Sequence, residues 1–488
     1  MLDQNSLFGS AVVYALTNGI SAAISLLVLP VLTRVLTPEE YGRVAMFSVV
    51  LTLFGAFTGL NVHGAIGIRY FEKKQIDFPR YVATCLIILA VSTLVVLALV
   101  CLLLPWLELA AKLPARWLLA AVLVSAAQTL IQAQLAIWQS ARQPWAYGAL
   151  RLGQSILDGS ISLVLVLALG LAWEGRVAGI ASAAGLIGVV TLLLLVRHGW
   201  VRFPGKRDYA HNALRFGIPL VPHVVGGMLL VMIDRVMISN VLDIASTGIY
   251  MVALQVGMVL GLATDSFNRA YAPWLLATLT ERQPGRDAAI VRFTYGYFLV
   301  VCVIAVLLGV FAPAILGILV GDKFRAAAPI VVYITLGFAF GGMYYMVTNY
   351  VFFAGRTASL AAITTISGVS NVALTYWLLH RSGVIGAAQA FMLAQALLFG
   401  GTWWLAHRSR PMPRLRVVIY TFTRCLDKCY SGLCSFTHGR CTHSSTAALR
   451  RAPPCSCTSR PLRQRFCSYC SASPAAFALD IRSPPLRC

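Results

Sequence analysis

Long apolar stretches alternate with short polar segments through most of this chain. Twelve stretches stand out, at residues 9–30, 44–66, 81–104, 117–139, 150–171, 177–196, 214–239, 249–272, 292–319, 329–353, 358–379 and 384–406. Roughly twenty apolar residues are what a helix needs to cross a hydrocarbon core about 30 Å thick. The bilayer gives a backbone amide no partner outside its own segment, so these stretches are expected to be helices. A transmembrane barrel is excluded, because its strands would be shorter and would alternate in polarity. The prediction is an all-α integral membrane protein with twelve spans, numbered 1 to 12 in chain order. Span 1 is expected to remain in the mature protein, since no Lys or Arg precedes it and the first basic residue is Arg34.

The pattern also repeats. Val35, Leu36 and Gly42, closing span 1, recur as Val241, Leu242 and Gly248 after span 7, an offset of 206 residues. Val177, Gly179 and Ala181 recur as Val384, Gly386 and Ala388, an offset of 207. Two anchors at nearly one offset predict a duplicated bundle: an N-terminal lobe over residues 1–200 holding spans 1–6, and a C-terminal lobe over 201–410 holding spans 7–12. Internal repeats of this kind typify transporters whose halves move about a shared site.

Composition agrees with the pattern. Hydrophobic residues make up 59% of the chain and charged residues 11%, against roughly 25% charged in soluble proteins. The loops after spans 2, 4, 6, 8 and 10 carry more Lys and Arg than those opposite, among them Arg69, Lys73, Lys74, Arg80, Arg202, Lys206 and Arg207. The positive-inside rule puts that side, and both termini, in the cytoplasm. The net charge of +22 is largely this loop bias plus a basic C-terminal segment, and basic loops attract anionic membrane lipids. No nucleic-acid partner is expected.

Near Pro411 the chain changes character. Nine of the twelve cysteines lie between Cys425 and Cys488, among Ser, Arg, Pro and Thr. Cys425-x3-Cys429 and Cys467-x2-Cys470, with His438 and His443, could supply four zinc ligands. Their spacing is irregular, and little apolar sequence is present to pack around a metal. Residues 411–488 are therefore expected to be disordered or translated out of frame, and neither metal nor cofactor is expected.

A charge inside a span costs roughly 2.5–3.5 kcal/mol on insertion scales, so each one needs a reason. Asp158 in span 5 is either a carboxylate that responds to H+ or Na+ or one end of an interhelical hydrogen bond. Asp234 and Arg235 in span 7 point about 100° apart on a helix, which does not suit a simple mutual pair. Asp265 and Arg269 in span 8 are four apart with the acid first, the favourable order for a helical ion pair. Ser125, Gln128, Gln132 and Gln139 share one face of span 4 and either bond between helices or line a polar path. Pro219, Pro222, Gly226 and Gly227 predict a bent or broken span 7, a candidate hinge or gate. P-loop, HExxH and GxSxG motifs are missing, and the loops between spans are too short for a catalytic domain, so an enzyme is not expected.

Three segments carry a family resemblance: LPVLTRVLTPEEYGRVAMF after span 1, IDRVMISNVLDIASTGIYMVALQVG across spans 7 and 8, and SFNRAYAPWL at the end of span 8. From about Ser6 to Arg410 the chain resembles the polysaccharide-flippase branch of the multidrug/oligosaccharidyl-lipid/polysaccharide exporter superfamily. That branch includes the Wzx-type flippases of O-antigen and capsule assembly. The resemblance implies a MATE-like fold of two six-helix lobes around a cavity open alternately to either side. The implied cargo is an oligosaccharide on an undecaprenyl diphosphate carrier, with polysaccharide-assembly proteins as possible partners. Arg bonds phosphate oxygens in bidentate fashion, and Arg34, Arg69 and Arg235 lie at or inside span ends. Gln128, Gln132, Gln139, Asn61 and Asn349 are candidates for the sugar, and Asp158, Asp234 and Asp265 for ion coupling. Arg34 also lies beside Glu39 and Glu40, which suits an interface anchor better than a ligand. Two alternatives stay open: a cation-coupled multidrug or small-solute antiporter, and a membrane glycosyl-polymerase or ligase.

Overall fold

The computed structural model describes residues 4–281, 286–354 and 356–409. The expected C-terminal tail lies outside them. Spans 1 to 6 are the helices Gln4–Val35, Pro38–Phe57, Phe78–Leu102, Ala115–Ser140, Pro144–Leu163 and Ala172–Arg197. Spans 7 to 10 are Val221–Val241, Ile244–Glu281, Arg286–Val310 and Ala328–Phe353. Short helices at Val62–Arg69, Leu104–Ala111, Arg207–Gly217 and Ala312–Leu319 join them. No strand occurs among the described residues.

The tally of spans needs two steps. Among the described residues ten helices are long and apolar enough to cross a membrane, and an eleventh span is the bent pair Arg207–Met228 and Val231–Val241, at 57°. The helix Thr357–Ser409 has 53 residues, which at 1.5 Å per residue would reach about 80 Å, far beyond the roughly 30 Å core. It is interrupted at Gly383, where φ is 56° and ψ is −141°. A Cβ added to Gly386 would overlap the Leu378 carbonyl, so the chain doubles back there. This helix therefore supplies spans 11 and 12, which brings the number to twelve.

The TPEEYG segment is a helix start built from local chemistry. Thr37 Oγ1 accepts from the Glu40 amide at 3.2 Å, and Glu40 Oε2 accepts from the Thr37 amide at 2.7 Å. Such a reciprocal cap contributes about 1 kcal/mol, and Pro38 in the first turn gives up no needed donor. Asp243, 206 positions on, does the same work for span 8: its carboxylate accepts from the Ser246 amide at 2.6 Å and hydroxyl at 3.0 Å.

The two copies also meet. A Cβ on Gly42 would overlap the Ile244 carbonyl, and one on Gly248 would overlap the Pro38 carbonyl. These contacts exchange under the 206-residue offset, as a two-fold relation between the lobes requires. The residues just before them follow suit. Arg34 Nη2 donates to the Ile318 carbonyl at 3.2 Å, and Asn240 Nδ2 to the Ala110 carbonyl at 3.0 Å. Gly321 lies against the Thr33 carbonyl, and Lys112 Nζ donates to the Ser239 carbonyl. The lobes are thus sealed at the charge-poor face. The seam is buttressed by an apolar cluster that includes Leu36, Phe47, Tyr250 and Phe324.

At the opposite, basic face, the helix Arg207–Gly217 links the lobes. Its buried Ala213 and half-buried Tyr209 join Tyr70, Phe78 and Tyr81 in a second cluster. Gly217 packs against the Leu60 backbone with no room for a side chain.

Candidate functional site

A cavity of about 540 Å³ lies between the lobes. The N-terminal lobe contributes Ala45, Ser48 and Val49 from span 2. The C-terminal lobe contributes far more: Val231, Met232 and Arg235 from span 7, Met258 and Asp265 from span 8, Tyr344 and Tyr345 from span 10, and Phe391 and Gln395 from span 12. The lining is mostly apolar with a few polar groups, the usual make-up of a small-molecule site.

Arg235 is the cation of this cavity. It is 4% exposed, its Nη1 donates to the Val231 carbonyl at 2.8 Å, and its Nε has no partner. Its neighbour Asp234 is turned away and accepts from the Tyr250 hydroxyl. Asp234 and Arg235 approach to 3.9 Å, an ion contact too long for a hydrogen bond. The Gln395 side-chain oxygen is likewise buried without a partner. One orphaned donor and one orphaned acceptor at a single cavity are hydrogen-bonding capacity that the protein itself does not use. Asp265 also lines the cavity and pairs with Arg269 at 2.9 Å.

A family model described as polysaccharide biosynthesis protein matches residues 7–279. The chain belongs to that family. It is 22% identical over 398 residues to an Lsg locus protein of Haemophilus influenzae, covering 78% of this chain and 95% of that protein. An uncharacterized membrane protein of the same organism is 21% identical over 373 residues, covering 74% of this chain and 88% of that one. Among solved structures, the lipid II flippase MurJ in an inward closed conformation is similar at a TM-score of 0.65 and 15% identity, covering 85% of this chain and 93% of that one. An inward-facing multidrug resistance MATE family transporter of the MOP superfamily is similar at 0.64 and 14%, covering 85% and 99%. The fold is therefore that of the MOP exporters, and this family member is a multi-pass membrane protein.

The structure brings Arg235 and Asp265 to the cavity and leaves the other candidates elsewhere. Arg34 is at the charge-poor seal; Glu39 and Glu40 are taken by Arg43 and Thr37, so its anchor is the Ile318 carbonyl instead. Arg69 lies at the basic face, where it pairs with Glu72 and donates to Asn212 at 3.1 Å. There it lines a separate pocket with Arg215 and Tyr81. Asp158 forms a two-pronged ion pair with Arg176 at 2.6 and 3.2 Å.

The span 4 stripe is split by its neighbours. Ser125 accepts from the Thr58 hydroxyl at 2.9 Å, and Gln128 from the Gln154 amide at 3.1 Å. Gln132 is half-buried and Gln139 exposed, and neither is among the residues lining the cavity. Asn61 donates to the Gly217 carbonyl at 3.4 Å, and Asn349 to Asn268 at 2.9 Å. Pro219 sits in a single 3₁₀ turn, Ile218–Leu220. Pro222 opens the span 7 helix, and the 57° bend falls just past Gly226 and Gly227. Nothing packs within 4 Å of a Cβ at either glycine, so they serve backbone freedom rather than close packing.

Sequence reasoning missed Tyr250, Gln395, Tyr344, Tyr345 and Arg176. It also missed Tyr41, whose hydroxyl donates to Gln255 at 2.7 Å across the lobes. Arg176 was legible in part, as a lone cation just outside span 6 with no acid beside it on the same helix face.

Proposed function

We propose that this protein flips an oligosaccharide linked to undecaprenyl diphosphate across the bacterial cytoplasmic membrane by alternating access. In this reading its basic face and both termini are cytoplasmic. The observation that carries the proposal is Arg235, a buried guanidinium with an unused donor at the wall of the cavity between the lobes. A diphosphate supplies the acceptors such a group lacks, and in a low-dielectric site that bond is strong. Ser48, Thr264, Thr364, Gln395 and the Tyr344–Tyr345 pair offer hydroxyl and amide groups to sugars on the same walls. The family membership and the flippase and exporter folds support the reading.

A cation-coupled drug antiporter fits less well. Its cargo would need a free carboxylate, whereas Asp158, Asp234 and Asp265 are each engaged by Arg176, Tyr250 and Arg269. The test is complementation of a deletion strain. Arg235→Ala is expected to abolish surface polysaccharide while the protein stays abundant in the membrane. Full complementation by this variant, or a deletion that leaves polysaccharide intact and raises sensitivity to cationic drugs, would overturn the proposal.

A further inference from the structure

A second pocket, about 360 Å³, lies at the basic face, within the roughly 300–1,000 Å³ range of small-molecule sites. Its walls are the short helix Val62–Arg69 with the turn after it, the start of span 3, and the linker helix Arg207–Gly217. The linker helix is two-sided. Its Ala213 is buried in the apolar cluster of the N-terminal lobe, while Asn212 and Arg215, three apart, share the face that fronts the pocket.

The polar groups of this pocket are arranged as donors. Asn212 Oδ1 accepts from Arg69 Nε at 3.1 Å and from the Tyr81 hydroxyl at 3.2 Å, which orients the amide and leaves its Nδ2 free. Arg69 gives Nη1 to Glu72 and has Nη2 to spare. Arg215 has neither a hydrogen bond nor an ion pair among the described residues. Glu72 is the one carboxylate in the lining, so two guanidinium charges less one carboxylate leave the pocket at +1. A surplus cation with unfilled donors around it suits an anion that carries several acceptor oxygens, and Arg binds phosphate in this way.

The position of the pocket gives such an anion a lever. The linker helix runs through the turn Ile218–Leu220 into span 7, which carries Arg235 to the central cavity. At its end Gly217 abuts the Leu60 backbone, and Asn61 Nδ2 donates to the Gly217 carbonyl at 3.4 Å. The corner it leans on is strained: Gly59, Leu60 and Asn61 follow one another with φ of 75°, 48° and 59°. Left-handed Leu and Asn are costly and persist only where their surroundings hold them. The contact between linker and corner is therefore poised to come apart, and a ligand that joins Arg69 to Arg215 holds it together.

We propose that this pocket binds a phosphate group, and that its occupation pins the linker helix, and with it the start of span 7, to the N-terminal lobe. The phosphate belongs to the headgroup of an anionic membrane lipid, which basic pockets on the cytoplasmic side attract, or to a free anion. The site goes beyond the flippase reading and acts whatever the cargo.

The test follows hydrogen exchange of the Arg207–Gly217 segment in the purified full-length protein, held in maltoside micelles that carry no phosphate. Chloride, inorganic phosphate and dioctanoyl phosphatidylglycerol are added at matched ionic strength. A phosphate source is expected to slow exchange severalfold relative to chloride. Protection by phosphatidylglycerol alone assigns the site to a lipid headgroup, by inorganic phosphate alone to a free anion, and by both to the phosphate itself. Asn212→Asp keeps the oxygen that Arg69 and Tyr81 bond and turns the free donor into a group that repels anions. Arg215→Gln removes a cation that has no partner to lose. Both are expected to abolish the protection, whereas Arg207→Gln, which removes the same charge from the same helix outside the pocket, should leave it intact. No protection by either source, protection that survives both pocket substitutions, or equal loss in Arg207→Gln would overturn the proposal. Export retained in Arg235→Ala would sink the flippase reading and leave this one standing.

Discussion

The two lobes share a repeat and place their polar groups differently. In the N-terminal lobe the candidate groups bond to one another, Asp158 to Arg176, Gln128 to Gln154, Ser125 to Thr58, and Arg69 to Glu72 and Asn212. Its unpartnered buried atoms, on Gln134, Arg151 and Gln154 among others, lie away from the cavity. In the C-terminal lobe, Arg235 and Gln395 keep unused atoms at the cavity wall. One half behaves as a braced frame and the other as the half that presents chemistry. Position 158 has no acidic counterpart in the second lobe, since the offset of 207 leads to Thr365, whose hydroxyl merely bonds its own helix at 2.9 Å. A duplicated bundle therefore need not carry a duplicated site.

The largest effect that could break this comparison is at Arg235. Arg235→Ala is expected to abolish export, a fall of about thirtyfold or more, as loss of a buried cation that bonds a charged ligand costs roughly 2–5 kcal/mol. Arg235→Lys should recover only part of it, because an ammonium cannot reproduce the guanidinium fork. Export by an assay of surface polysaccharide, normalised to protein level, checks both. A milder effect is expected at the seal. Gly42→Ala and Gly248→Ala each force a Cβ onto a carbonyl, so each should raise labelling of a Ser48→Cys probe by an impermeant thiol reagent, severalfold and to similar extents. Unequal responses would show that the two-fold relation does not govern closure.

In the frame lobe, substitutions should cost stability rather than transport. Asp158→Asn removes the carboxylate from a partly buried pair, whose side chains are 26% and 15% exposed, and is expected to cost about 1–2 kcal/mol after allowance for that exposure. Thermal unfolding in detergent measures it, with transport per folded molecule unchanged. A specific transport defect would move Asp158 from frame to mechanism. The smallest effect belongs to Gln128→Leu, about 0.6 kcal/mol for one interhelical hydrogen bond, at the limit of the same measurement.

Much of the frame was legible because it follows from local rules. Span length follows from bilayer thickness, and the break between spans 11 and 12 falls where the apolar pattern lapses, between residues 379 and 384. The start of span 2 was expected at residue 44, whereas the Thr37–Glu40 cap begins it at Pro38. The bend in span 7 follows from Pro219, Pro222 and the glycine pair. Helix rotation was not legible. In a soluble protein the polar face marks the outside, but here lipid and interior are both apolar, so the usual amphipathic signal is absent. The span 4 stripe shows the consequence: Gln128 and Ser125 share a face in sequence, yet each meets a different neighbouring helix. The Asp158–Arg176 pair was hidden for another reason, since it closes across a helix turn and a loop that no periodicity encodes. The linker helix Arg207–Gly217, with water on one side, is the exception whose buried face can be read from its pattern.

The seal at the charge-poor face is made largely of main chain: glycines against carbonyls at Gly42, Gly248 and Gly321, and side-chain donors onto the carbonyls of Ile318, Ala110 and Ser239. A carbonyl is present whatever residue bears it. The door is thus written in a different alphabet from the cavity, and on the proposed reading substitutions at Ser48, Tyr344, Tyr345 or Gln395 refit the room to a new sugar without rehanging the door.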